Sequence, residues 1–119
     1  METRNDPVLK RLRAICLGLP EAVECVTFGH PTFRAGKKTF AVYEEYKGQL
    51  CIAFKVDPRH KDIFLSDPRF FRTPYVGKHG WVSLKFSGRM NWTEVRHLMI
   101  ESYRLVASRR MLSCLDCKD

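Results

Sequence analysis

Thr39–Val56 reads TFAVYEEYKGQLCIAFKV, and the architecture of the chain is decided there. Two runs rich in β-branched and aromatic side chains, Thr39 to Tyr46 and Gln49 to Val56, are separated only by Lys47-Gly48, a dipeptide that sits where a tight hairpin turn belongs. So short a connection makes the two strands antiparallel neighbours. In the first run Thr39, Ala41 and Tyr43 are expected on one side and Phe40, Val42 and Glu44 on the other, a mixed alternation that suits a sheet with one face packed on helices.

The same signals extend upstream. Val23 to Phe28 and Thr32 to Arg34 read as two further strands, and Ala35-Gly36-Lys37-Lys38 as the turn that joins them to the hairpin, giving a β meander. Ahead of the meander, Asn5 or Asp6 followed by Pro7 is an N-cap with proline at the first helical position. Val8, Leu12, Ile15, Cys16 and Leu19 then share one helical face, Lys10, Arg11 and Arg13 lie outside it, and Gly18 and Pro20 end the helix.

Downstream, Asp57-Pro58 repeats the cap and proline and starts a short helix to about Ser66, with Ile63, Phe64 and Leu65 as its buried part. Arg69 to Gly80 reads as a loop, Gly80 to Phe86 as a strand, and Ser87-Gly88-Arg89 as a turn. Asn91 with Glu94 three positions on forms a capping box that opens the longest helix, to about Met111, with Val95, Leu98, Met99, Ser102, Leu105 and Val106 as its buried stripe. Ser113 to Asp119 lacks a period and is expected to fray. This order of elements predicts an α+β fold: a single two-layer domain over residues 1–119, its antiparallel β-sheet packed against helices, with N-terminal and C-terminal helices flanking the meander.

A chain of 119 residues suits one core, and 21 Lys and Arg against 13 Asp and Glu, a formal charge of +8, favour polyanionic partners. The cations are segregated. Pro68 to Thr93 runs 26 residues without an acid and carries Arg69, Arg72, Lys78, Lys85 and Arg89 among aromatic residues; Cys25 to Tyr43 is also acid-free and holds Arg34, Lys37 and Lys38. Phe33, Phe40, Phe54, Trp81 and Phe86 fall at alternating strand positions and are read as core, which leaves the loop cations as the phosphate contacts.

Catalytic chemistry is not legible. His30, His60, His79 and His97 follow no zinc spacing, paired carboxylates are missing, and Cys114-Leu115-Asp116-Cys117 lacks the second pair of a structural zinc site. Gly77-Lys78-His79-Gly80 lacks the spacing of a phosphate loop and precedes a strand rather than a helix. Neither an enzyme, a metal nor a cofactor is expected. Five cysteines make an odd number in a chain whose core can stand unaided, so reduced thiols in a cytoplasmic setting are expected rather than a disulfide framework. Met1 to Asp6 is polar, unlike a secretory leader, and no apolar run approaches the ~20 residues that span a bilayer, so no membrane association is expected.

Several segments, taken in order, resemble the MmcQ/YjbR-like family: Leu19-Pro20-Glu21-Ala22, Phe28-Gly29-His30-Pro31 with Phe33, Gly36-Lys37-Lys38-Thr39-Phe40-Ala41, Phe54-Lys55-Val56-Asp57-Pro58, Thr73-Pro74-Tyr75-Val76-Gly77-Lys78, Gly80-Trp81-Val82-Ser83-Leu84 and Glu101-Ser102-Tyr103-Arg104-Leu105-Val106. The likeness covers about residues 8–112. It implies a compact α+β domain of the bacterial cytoplasm and DNA binding through two β-rich projections, a double wing. The turn at Gly36, Lys37 and Lys38 matches one projection and the segment from Arg72 through Lys85 the other, and these coincide with the two acid-free stretches. The expectation is therefore non-specific binding of nucleic acid, double-stranded DNA in the first instance, through Arg34, Lys37, Lys38, Arg72, Lys78, His79, Lys85 and Arg89. The alternatives are an interaction module for an acidic protein partner and, third, a small-ligand site or enzyme built on the loop 72–81.

Overall fold

The computed structural model describes residues 6–74 and 80–117. Six strands, β1 (Ala22–Thr27), β2 (His30–Ala35), β3 (Lys38–Tyr46), β4 (Gln49–Lys55), β5 (Phe70–Arg72) and β6 (Trp81–Lys85), form one antiparallel sheet in the order β1-β2-β3-β4-β6-β5. Four helices, α1 (Pro7–Cys16), α2 (Lys61–Leu65), α3 (Trp92–Val106) and α4 (Arg109–Cys117), complete the α+β domain. The core lies between helices and sheet: Leu9, Leu12 and Cys16 of α1 and Val95, Met99 and Tyr103 of α3 cover Phe33, Ala41, Tyr43, Ile52, Phe54, Val82 and Leu84.

Asp6 caps α1 with one carboxylate oxygen, which accepts from the N–H groups of Val8 and Leu9, while the other accepts from the Tyr43 hydroxyl at 2.6 Å. One side chain thus starts the helix and moors it to the centre of the sheet. Burial, followed by this bond, pushes the Tyr43 phenol well above its ordinary pKa. Tyr103 of α3 similarly donates to the carbonyl of Pro20 at 2.6 Å.

The alternation expected in β3 is broken by a bulge. Phe33 pairs with Ala41 but Arg34 pairs with Thr39, so Phe40 is an extra residue. It turns to the helices beside Ala41 and Tyr43 and meets Tyr103 edge-on, ring centroids 5.7 Å apart, while Thr39 joins Val42 and Glu44 on the other face. At this point Ser102 of α3 donates its hydroxyl to the Phe40 carbonyl at 2.7 Å and accepts from the Lys55 N–H at 2.9 Å. Those are the backbone groups next along the β3–β4 ladder after the Ala41–Phe54 pair, so a helical hydroxyl replaces a rung of the sheet.

Other departures from the sequence reading have local causes. Within the segment read as a loop, residues 70–72 form β5, because Phe70 docks against Leu84 and packs edge-on to Phe54 and tilted against Phe64. Ile63, expected to be buried, is 69% exposed, since the short α2 turns Phe64 rather than Ile63 inward. The long helix ends at Val106, five residues early. Ala107 is extended and Ser108 caps a new helix by accepting from the Met111 N–H, so the segment expected to fray is helical to Cys117. Leu105 is largely exposed, whereas Tyr103 is buried in its place.

Replacing Ser102 with alanine strands a buried carbonyl and a neighbouring N–H at once. The expected loss of unfolding free energy in urea is about 2–3 kcal/mol, larger than the sub-kcal/mol change typical of a small polar-to-alanine replacement on the surface.

Candidate functional site: the helix-free face of the sheet

All four helices lie against the face that carries Tyr43 and Phe54. The opposite face presents Thr32, Val42, Glu44, Cys51, Ala53, Phe71, Ser83 and Lys85, as the cross-strand pairs Thr32–Val42, Val42–Ala53, Ala53–Ser83, Ser83–Phe71, Glu44–Cys51 and Cys51–Lys85 require. No described helix covers it. A cleft of about 340 Å³ crosses this face, bounded by the β1–β2 turn at Phe28, the ends of β2 and β3 at His30 and Glu44, the floor at Val42 and Ala53, and Thr73, Pro74 and Trp81 on the far side.

The cleft combines apolar walls with few polar groups, the composition of small-ligand sites. Partial burial raises the Glu44 pKa, and the nearby His30 opposes that shift. Nδ1 of His30 and Nε of Arg34 are buried without a hydrogen-bond partner among the described residues. The Thr73 and Ser83 hydroxyls bond each other at 2.9 Å beneath the cleft. Cys51, paired with Glu44 across β3 and β4, has its thiol pushed up to about 12, first by burial and then by the Glu44 charge, so it is no thiolate nucleophile at neutral pH. Among the described residues no group of three His, Cys, Asp or Glu side chains is placed to hold a metal ion.

Next to the cleft on the same face, Tyr46 and Phe71 stack with centroids 5.8 Å apart and an interplanar angle of 20°. The Lys47 ammonium sits 5.4 Å from the Tyr46 ring centre, and Lys85 and Gln49 border the same hollow. A larger groove, about 520 Å³, lies on the helical side between α1 and Trp92; its walls are mostly apolar, with Arg11 placed 4.9 Å over the Trp92 ring.

The expected phosphate contacts do not form one patch. Arg34 and Lys85 point to the helix-free face, the first half-buried and the second exposed at the opposite end. Lys37 and Lys38 are exposed at the β2–β3 turn, whose Gly36 has φ 63° and packs so closely on Met111 of α4 that a Cβ there would lie 2.8 Å from its methyl. Arg72 pairs with Val82 and so projects to the helical side at the end of β5, and Arg89 is exposed in the connection to α3. Lys78 and His79 lie outside the described residues. The six that are described form no ion pair among the described residues, whereas Arg13, Arg59, Arg69, Arg104 and Arg110 each hold a carboxylate.

Arg69 shows why an acid-free stretch in sequence is not acid-free in space: Asp67 and Glu94, which flank the stretch, both reach it at 2.7 Å. Trp81, read as core, instead lines the cleft, half-buried. The sequence reading passed over Glu44, His30, Tyr46 and Lys47 as site residues. The available signals were a glutamate one strand period from Val42 and the aromatic pair that flanks the Lys47-Gly48 turn and the end of β5.

Helices on one side of the antiparallel sheet and a cleft on the other define a two-layer α+β domain. The chain belongs to the YjbR family, whose model matches residues 17–105. The crystal structure of protein DR2400 from Deinococcus radiodurans, with a DUF419 domain, shares the fold at 21% sequence identity: the TM-score is 0.73, covering 91% of this chain and 87% of that one. None of the curated proteins matches the sequence. Among the described residues no helix is long and apolar enough to cross a membrane.

The sign of the Glu44 shift gives a stability test. A carboxyl whose folded pKa is raised favours the native state while protonated, and that contribution is lost as the pH rises through the folded pKa. Glu44→Gln is therefore expected to raise the thermal midpoint at pH 7, with the gain shrinking toward pH 4; equal midpoints at both pH values would show that the carboxylate is not desolvated.

Proposed function

We propose that the protein binds nucleic acid, with the helix-free face of the sheet as the contact surface. The observation that carries this reading is the stacked Tyr46–Phe71 pair, with Lys47 over the ring and Lys85 beside it, on a face that the helices leave open. Aromatic faces accept any base, and flanking ammonium groups neutralise phosphates, the pairing of forces used for single strands. The charge of +8 supports attraction to a polyanion at long range.

Lys37 and Lys38 remain suited to a duplex backbone, but a flat stacked platform favours unpaired bases over stacked ones that a duplex conceals. Neither arrangement supplies a set of groups for reading a sequence in the major groove, so affinity rests on phosphate and stacking contacts.

The test is a titration of a single-stranded oligothymidine and a matched duplex at several salt concentrations. The expected result is tighter binding of the single strand, with log K falling linearly against log salt. Lys47→Ala and Lys85→Ala should each reduce the slope by about one phosphate contact. Tyr46→Ala, at an exposed position, should weaken binding by about 1–3 kcal/mol. No binding at low salt, or a flat salt dependence, overturns the proposal; a preference for duplex that depends on Lys37 and Lys38 moves the contact to the β2–β3 turn.

A further inference from the structure

We infer that the cleft at Phe28, His30, Glu44 and Trp81 is a pocket for a guanine base, a reading that deepens the nucleic-acid proposal by giving the same face a base-selective subsite. Four observations converge on it. The cleft volume of about 340 Å³ is at the small end of ligand sites, matching one heterocycle and its sugar rather than a larger molecule. Its single carboxylate is partly desolvated and forms no hydrogen bond or ion pair among the described residues. Beside it, Nδ1 of His30 is buried without a partner among the described residues. At the rim, Phe28 is 95% exposed and held at φ 52°, ahead of Gly29 at φ 80°.

The Phe28 geometry is informative because the hairpin position it occupies favours Asn, Asp or Gly, and a bulky residue there is strained. Its ring contributes almost nothing to the core. Strain at a solvent-facing aromatic is the kind of local cost that persists at binding sites. Trp81 and Val42 add apolar surface to the same cleft, against which a planar ring can pack.

The carboxylate selects among planar rings. It is acceptor-only and takes two adjacent N–H donors at once. It complements an edge that carries two neighbouring donors. Guanine presents that edge through N1–H and the N2 amino group. Adenine presents a donor and an acceptor, uracil and thymine place an acceptor on each side of one N–H, and cytosine has one exocyclic donor followed by acceptors. Glu44 would hold N1–H and N2.

Guanine could arrive as a free nucleotide or as an unpaired base within a strand, and the experiment separates the two. The intact chain is titrated with guanosine, adenosine, cytidine and uridine monophosphates, and separately with oligothymidine containing or lacking one central guanine. Guanosine monophosphate, the guanine-bearing strand or both should bind at least about tenfold better than their counterparts, one lost hydrogen bond being worth roughly that factor. Inosine monophosphate, which lacks the N2 amino group, should bind about tenfold more weakly than guanosine monophosphate. Glu44→Gln should abolish the preference for guanine, and Phe28→Ala, at a position outside the core, should weaken guanine binding while leaving the thermal midpoint unchanged or raised.

Equal binding of all four monophosphates together with no effect of the single guanine overturns the pocket, as does a guanine preference that survives Glu44→Gln. If oligothymidine still binds in a manner dependent on Tyr46, the pocket alone has failed and the nucleic-acid reading stands. If guanosine monophosphate binds but no strand does, the pocket stands and the nucleic-acid reading has failed.

Discussion

The hydroxyl of Ser102 is the constraint on which the two layers depend. A bulge normally leaves unpaired backbone groups, and here they fall beneath α3, where water cannot replace the missing partners. By bonding the Phe40 carbonyl and the Lys55 N–H together, Ser102 holds β3 and β4 at fixed separation and fixes α3 in rotation and height above them. Phe40 against Tyr103, and Tyr103 against the Pro20 carbonyl, extend the same lock to the start of β1. Asp6 and Tyr43 do the equivalent work for α1. Hydrophobic contact brings the helices to the sheet, but these few directional bonds determine where on it they rest.

Because the helices are held on one side, the cleft lies on the other. Its floor is made of the smaller residues Val42 and Ala53, and the larger Phe28, His30 and Trp81 stand at its margins. The arginines are distributed differently from the lysines. Arg13, Arg69 and Arg110 each form bidentate bonds to carboxylates that staple segments together, as a planar guanidinium does well. Lys47 and Lys85 stay beside aromatic rings at the open face, where a flexible point charge retains its reach.

The meander and the helix starts were legible because each has a local cause: Lys47-Gly48 closes a hairpin, Asp6-Pro7 and Asn91 to Glu94 are caps, and alternating apolar residues mark strands. What was not legible was produced by packing at a distance. The three residues of β5 have no periodicity of their own and become a strand because Phe70 finds Leu84 and Phe54. The end of α3 is set by Ser108, one hydroxyl among many in the sequence. For the site, cations near turns were easy to pick out but do not converge, whereas Glu44, His30 and Trp81 come from three different strands and meet only once the register is known. A net charge is a property of composition; a cleft is a property of pairing.

Phe40 is an inserted residue in the strict sense that the ladder on either side of it would close without it: Phe33 would still oppose Ala41 and Arg34 would still oppose Thr39. Its contribution is one aromatic ring and one carbonyl turned toward α3. The attachment of helix to sheet is therefore specified by a count of residues rather than by their character. A chain one residue shorter at this point would preserve every alternation of the sheet and lose the tether, so in this fold the length of β3 carries information that its hydrophobicity does not.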